Sequence, residues 1–174
     1  SPVGLNDLSE TIALYGNITL TGSTLWSIGA EPGSKLIINS AFVNAGAVGS
    51  ETLWLRGAGE GVINGALING TGNTLGLFKE GSGQWTLNGT NTYTGPTFVD
   101  SGTLIVNGAL RGSSSVLALS STLGGKGLIT GAVTNGGTFL PGGDSTIGTL
   151  TISNTLVFGG ANAIFDVGPA GNDL

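Results

Sequence analysis

The chain contains neither cysteine nor histidine among its 174 residues. Without cysteine, disulfide bonds and thiolate metal sites are excluded. Without histidine, the commonest general base and the commonest metal ligand are both missing. The lack of cysteine also suits passage through an oxidising periplasm in an unfolded state.

Charged residues are scarce too, at 9% of the chain, against roughly 25% in an average globular protein. The five cations lie apart in the sequence, at Lys35, Arg56, Lys79, Arg111 and Lys126. They form no basic stripe, so nucleic acid is not an expected partner. No apolar run is long enough to span a membrane, so no membrane-spanning helix is predicted. Because the chain begins at Ser1 without methionine, we expect a processed form or an excised fragment.

Glycine is abundant, with 34 residues, while hydrophobic residues make up 39% of the chain. That apolar content and the low charge argue against a disordered chain, and the length suffices for one domain with a core. Glycine interrupts every long window, so helices are not favoured. The segment from Gly4 to Ala13 is the one candidate, as a short helix or an amphipathic strand. We therefore expect an all-β protein.

Residues 77–104 carry the clearest pattern in the sequence. Apolar residues alternate with polar ones, and glycine or Asn-Gly marks the corners. This alternation predicts short strands with one buried face. The segment strongly resembles the passenger-associated repeat of bacterial autotransporters, which is a strand-turn-strand unit of a β-helix. The matching positions are Lys79, Gly81, Gly83, Trp85, Leu87, Gly89, Asn91, Tyr93, Gly95, Thr97, Val99, Gly102 and Leu104.

A second block, with a Pro141-Gly142 corner and the strand Gly148-Thr149-Leu150-Thr151, resembles the turns that follow the repeat in autotransporter passengers. Repeat-like turns are thus expected at 77–108 and 123–167, whereas residues 1–76 resemble the family only in their general residue pattern. The resemblance implies a parallel β-helix (β-solenoid) over residues 1–174, as one domain of a longer stack. Parallel crossovers favour a right-handed coil. Leu, Ile, Val and Phe would point inward, and Thr and Asn would point outward or cap corners.

Spacing and corners add two further predictions. Leucines recur at irregular but similar intervals, which is typical of a solenoid; they are Leu20, Leu36, Leu53, Leu87 and Leu104. Asn-Gly occurs five times, beginning at positions 64, 69, 88, 107 and 135. Both residue types tolerate positive φ, so these are predicted corners. Since Asn-Gly turns usually make antiparallel hairpins, an antiparallel sandwich is the alternative fold.

No catalytic, cofactor-binding or metal-binding residue is predicted, and no cofactor. Glu80 and Asp100 are the one acid pair singled out as candidates to meet on neighbouring turns, as a β-helix enzyme that cuts polysaccharides would require. Two solvated acids are the favoured interpretation. Five aromatic side chains are candidates for stacking on sugar rings, and they are Tyr15, Trp26, Trp54, Trp85 and Tyr93. For Trp85 and Tyr93, packing between turns is the favoured role.

The resemblance implies a non-catalytic structural protein that is secreted to the bacterial cell surface or exterior, where it forms a stalk, scaffold or adhesive surface. The expected partners are neighbouring β-helix turns or identical chains end to end, and a host surface or polysaccharide is a further candidate ligand. Two alternatives stay open. One is an extracellular filament subunit that stacks end to end, and the other is the polysaccharide-active enzyme.

Overall fold

The computed structural model describes residues 10–163, apart from 23, 46–48, 113–114, 144–146 and 161. Within these residues the chain forms 22 strands and no helix. The candidate helix at Gly4–Ala13 ends in a strand from Thr11 onward, and its earlier residues lie outside the described part. The turns expected at 123–167 are described as far as residue 163. No helix long and apolar enough to cross a membrane occurs in the described part.

The strands are β1 (Thr11–Leu14), β2 (Ile18–Leu20), β3 (Leu25–Ala30), β4 (Lys35–Ile38), β5 (Phe42–Asn44), β6 (Gly49–Gly57), β7 (Glu60–Ile63), β8 (Leu67–Ile68), β9 (Asn73–Lys79), β10 (Gln84–Leu87), β11 (Thr90–Asn91), β12 (Thr97–Val99), β13 (Thr103–Val106), β14 (Ala109–Leu110), β15 (Ser115–Ala118), β16 (Thr122–Gly125), β17 (Leu128–Ile129), β18 (Ala132–Asn135), β19 (Thr138–Pro141), β20 (Thr151–Ile152), β21 (Leu156–Phe158) and β22 (Asn162–Ala163).

Every third strand belongs to the same face of the molecule. The first face is an eight-stranded sheet in the order β1-β4-β7-β10-β13-β16-β19-β22. The second face consists of two sheets, β2-β5-β8 and β11-β14-β17-β20, and the third is β3-β6-β9-β12-β15-β18-β21. The strand pairs are parallel, as between β10 and β13. The chain therefore coils as a parallel β-helix. This confirms the predicted fold class, and the antiparallel sandwich is wrong.

The turns of this coil differ in length, as the strand partners on the first face show. Glu60 pairs with Gln84, and Gln84 pairs with Thr103, so the second of these turns contains fewer residues than the first. The turn between the partners Thr122 and Thr138 is shorter again. The turns between β10 and β19 thus contain fewer residues than the turns before them, whereas the turn from Thr138 to its partner Asn162 is long again.

The predicted leucine spacing does not mark one turn. Leu20, Leu36 and Leu53 lie on the second, first and third faces, so each of these steps advances the chain by two faces rather than three. Leu87 and Leu104 share the first face but lie at different levels of it, because Leu104 pairs with Trp85. The leucine spacing thus indicates a solenoid correctly, but it does not measure the length of one turn.

Inward side chains stack at the same level in successive turns. On the third face one column of successive strand partners is buried throughout, and it consists of Leu53, Leu77, Thr97, Val116 and Val133. Apolar members of this column and of comparable columns on the other faces join in one hydrophobic cluster. Removing this apolar surface from water, at about 25 cal/mol per Å², is the main force that holds the turns together.

The Asn-Gly pairs at 64, 88 and 107 form the corner where the chain leaves the first face, as predicted, but positive φ is not the reason. Gly65 and Gly89 lie outside the left-handed region. A Cβ on Gly65 would lie 1.9 Å from the Ser40 carbonyl oxygen, and a Cβ on Gly89 would lie 2.2 Å from that of Gly65. Glycine is required because the backbone of each corner stacks directly on the corner of the preceding turn.

Candidate functional site

The structural break in the coil lies at residues 79–97, where longer turns give way to shorter ones. The first sheet of the second face ends at β8, and the next begins at β11. On the third face β12 has three residues where β9 has seven. A narrower turn must therefore be joined to a wider one here, with strand pairing interrupted. We call this region the junction.

Asn91 bridges the gap between the two sheets of the second face. Its side chain is fully buried. Its Oδ1 accepts a hydrogen bond from the Leu67 amide at 2.9 Å, and its Nδ2 donates to the carbonyls of Gly89 at 3.0 Å and Ala109 at 3.1 Å. The amide thus adds to the backbone bonds that Thr92 and Tyr93 donate to the Leu67 carbonyl, and it satisfies polar groups that would be costly to bury unpaired.

Tyr93 and Thr97 lie where the chain passes from the second to the third face, and β12 begins level with Leu77, the fifth residue of β9. Both are buried, and their side-chain oxygens lie 2.5 Å apart. Outside them, Asn69 of the wider turn donates from Nδ2 to Thr94 Oγ1 at 2.7 Å and accepts from the Leu75 amide at 2.9 Å. The corner of the wider turn is therefore fastened to the corner of the narrower one.

Trp85 fills the interior of the junction beneath the first face. Its side chain is fully buried, and its strand partner in the preceding turn is Gly61. A Cβ on Gly61 would lie 2.2 Å from the indole ring, and the indole Nε1 donates to the Arg56 carbonyl at 3.1 Å. Because Gly61 has no side chain, the tryptophan of the next turn can occupy the space directly above it.

Lys79 occupies a core position, where its strand partners are Leu55 and Val99. Its Nζ donates to the carbonyls of Glu80 at 3.0 Å, Gly81 at 2.7 Å and Ser101 at 3.0 Å. All three ammonium protons therefore have acceptors. Since Ser101 belongs to the next turn, the side chain links the corners of two successive turns.

The electrostatic setting of Lys79 follows from its burial. Desolvation lowers the pKa of Lys79 to about 8, and the nearby carboxylates of Glu80 and Asp100 oppose this shift. Glu80 also forms an ion pair with Arg56. The structure thus places both acids of the predicted pair around a buried ammonium, where they balance its charge. Among the described residues no group of three or more acids could hold a metal ion.

The aromatic candidates for sugar stacking are mostly engaged elsewhere. Trp85 and Tyr93 are buried, in agreement with the favoured packing role. Trp54 stacks on Phe78 with ring centroids 4.5 Å apart, and the Arg56 guanidinium lies 4.6 Å from its ring centroid. Trp26 donates from Nε1 to Glu51 Oε2 at 3.3 Å. Tyr15 is 80% exposed.

Sequence reasoning missed an outward aromatic column on the third face. Trp54, Phe78 and Phe98 are successive strand partners, and the rings of Phe78 and Phe98 are 6.3 Å apart. The alternation around Leu77 and Val99 was the signal that could have placed both phenylalanines outward. Phe98 is 38% exposed beside a groove of about 260 Å³ that Asp100, Leu117 and Leu119 also line.

Sequence reasoning also placed Asn and Thr outward or at corners, which is only partly correct. Asn39 and Asn64 do lie at corners, but Asn91, Asn135 and Thr97 are buried. Asn91 points inward where strand pairing is interrupted, because backbone groups freed there need partners.

The described residues form a β-solenoid in which the large and polar side chains of the junction point into the core. Residues 77–106 match the family model described as the passenger-associated-transport-repeat, so the chain carries this autotransporter passenger repeat. The buried side chains of the junction all lie inside the matched residues, and they are Lys79, Trp85, Asn91, Tyr93 and Thr97. No curated protein and no solved structure matches the chain.

Replacing Lys79 with methionine is expected to lower the free energy of unfolding at neutral pH by about 2 kcal/mol, because three buried carbonyls lose their donor. The loss should depend on pH. Since the pKa of about 8 in the folded chain lies below the ordinary 10.5, the unfolded chain binds the proton more tightly between these values. The advantage of the wild type over Lys79→Met should therefore grow as pH rises from 8 to 10.5.

Urea unfolding at several pH values would measure this difference. Lys35→Met is the matched control, because Lys35 is half-exposed and pairs with Glu60 at 3.0 Å on the surface, where ion pairs contribute little. A flat difference between wild type and Lys79→Met across this pH range would contradict the assigned burial of the ammonium.

Proposed function

We propose that this chain is a non-catalytic structural segment of an exported bacterial protein, and that it forms a stiff stalk or scaffold at the cell surface. The observation that carries the proposal is that the distinctive side chains of the repeat point into the core of the coil. Its distinctive side chains, including Lys79, Trp85 and Asn91, are buried and bond to neighbouring turns. The repeat thus stabilises a rod and leaves its outer surface to other uses.

The stacking of each turn on the turn before it supports export of this rod through a narrow pore. Each turn pairs with the turn before it, as β13 does with β10, and its side chains complete the core of that neighbour. Turns emerging one after another can therefore stack as they appear, and this stacking would help to draw out the chain and hold it outside. The absence of histidine and cysteine from the sequence agrees with a structural role.

The experiment is a surface-display assay that compares two variants, one at each of the two residues of β11. Residues 1–174 are placed between a signal peptide and an outer-membrane barrel in a Gram-negative bacterium, and exposed chain is counted by antibody labelling of intact cells. Asn91→Ala should lower the free energy of unfolding by about 1–3 kcal/mol, since three backbone groups lose their partner. It should also reduce the displayed, protease-resistant fraction. Thr90→Ala changes the exposed neighbour in β11 and should leave display unchanged.

Two results would contradict the proposal. One is full display of Asn91→Ala although the purified variant is destabilised, because the fold of the repeat would then play no part in export. The other is the assembly of purified wild type into long filaments of uniform width under electron microscopy, which would favour the filament subunit over the stalk. Single short rods are the expected outcome.

A further inference from the structure

A ladder of asparagine side chains runs along the corner between the first and second faces. Asn64 donates from Nδ2 to Oδ1 of Asn39 at 2.7 Å, and Asn88 donates to Oδ1 of Asn64 at 2.7 Å. Asn107 continues the series to Asn88 at 3.4 Å. Each amide in the middle of this asparagine ladder is thus held by the turn before it and the turn after it.

Three members of the ladder precede glycine, at Asn64, Asn88 and Asn107. An Asn-Gly pair has a characteristic side reaction. The glycine nitrogen attacks the asparagine Cγ, the N–Cγ bond forms, the Cγ–Nδ2 bond breaks, and ammonia leaves with the glycine amide proton. Water then opens the resulting succinimide at either carbonyl and yields aspartate or isoaspartate.

The corner geometry opposes each part of this reaction. Ring closure requires the side-chain amide to rotate toward the following nitrogen, but both ends of the Asn64 amide are hydrogen-bonded along the ladder. The backbone must move as well, yet Gly65 is stacked against the Ser40 carbonyl. At the last of the three corners the attacking nitrogen is itself engaged, since the Gly108 amide donates to the Leu87 carbonyl at 3.0 Å.

We propose that the asparagine ladder shields its Asn-Gly corners from succinimide formation. The same residues that make the corners able to stack are those most prone to this damage, and the hydrogen bonds between turns suppress it. Modification then requires local opening of the corner. An isoaspartate would add a backbone carbon at a corner with no room for even a Cβ, so damage at one turn would unstack its neighbours. This inference does not depend on export of the chain.

The test is the rate of isoaspartate formation, measured by peptide mapping and mass spectrometry of protein incubated at neutral pH. In the native chain Asn64 should react roughly tenfold more slowly, or slower still, than in chain unfolded in urea, a factor that corresponds to about 1.4 kcal/mol of opening free energy. Equal rates in the two states would overturn the proposal.

Variants of Asn39 separate the ladder from general stability. Asn39 precedes Ser40 and is not an Asn-Gly site. Asn39→Ala removes the acceptor of Asn64 and should speed modification at Asn64 severalfold, whereas Asn39→Asp keeps an oxygen acceptor and should preserve the slow rate. Asn154→Ala is the control, since Asn154 donates to the Thr130 carbonyl at another corner. Equal Asn64 rates in Asn39→Ala and Asn39→Asp, with both variants folded, would show that the side-chain bond gives no protection.

Discussion

Replacing Trp85 with alanine is expected to lower the free energy of unfolding by about 3–5 kcal/mol, the usual cost of truncating a buried tryptophan. The indole is fully buried at the junction, and its loss leaves both a cavity and an unpaired Arg56 carbonyl. Urea unfolding followed by circular dichroism would measure the change. A loss below about 1 kcal/mol would mean that the junction core is not packed as described.

A double-mutant cycle with Gly61 provides the control. Gly61→Ala alone should destabilise the chain by about 1–3 kcal/mol, because the new methyl group overlaps the indole ring. Combined with Trp85→Ala, the same methyl group enters the space that the indole has left. The two changes should therefore cost less together than the sum of their separate effects. Simple additivity would contradict the proposed contact between the two turns.

Gly65→Ala is expected to cost about 3 kcal/mol, at the upper end of the range for overpacking. Its Cβ would lie 1.9 Å from the oxygen and 2.1 Å from the carbon of the Ser40 carbonyl. These are backbone atoms, which cannot rotate aside as a side chain can, so the corner must separate from the turn before it. Denaturant unfolding of the purified variant checks this value.

Gly29→Ala is the matched control for the corner glycine. Gly29 lies within β3, where the nearest atom to an added Cβ would be the Arg56 carbonyl oxygen at an ordinary 3.5 Å. The substitution should change the free energy of unfolding by no more than about 0.5 kcal/mol. If Gly65→Ala proves equally mild, close stacking is not why glycine occupies the corner.

The sequence contained enough information to predict a β-solenoid but not to predict the number of residues in each turn. Alternation around Leu77 and Leu87 predicts short strands correctly, and glycine spacing predicts corners correctly. The length of a turn could not be obtained from leucine spacing, because a strand such as β12 can shorten without changing the alternation on its neighbours. Whether Asn64-Gly65 bends or reverses the chain also depends on the preceding turn, which stacks on it.

The junction was predicted only as a set of repeat positions. Alternation from Leu75 through Leu77 places Lys79 inward, so a buried lysine could have been predicted from this signal alone. Its carbonyl partners were not predictable, since Ser101 lies on the next turn and its distance depends on turn length. The pairing of Gly61 with Trp85 required the same missing register.

One coil stacks each turn of the described residues on the previous one, and pulsed electron paramagnetic resonance tests this arrangement most directly. Because the chain has no cysteine, pairs of engineered cysteines can carry spin labels without background. The first positions of the strands on the first face form one outward column, and three pairs along it span four, five and six strand spacings. These pairs are Lys35 with Thr122, Lys35 with Thr138, and Thr11 with Thr138.

With strands about 4.8 Å apart, the three distances should rise from about 19 to about 24 and about 29 Å. The steps should be equal although the turns between the labels differ in length. Distances that fail to grow by one strand spacing per turn would contradict the stacked coil and, with it, the structural role assigned to the repeat.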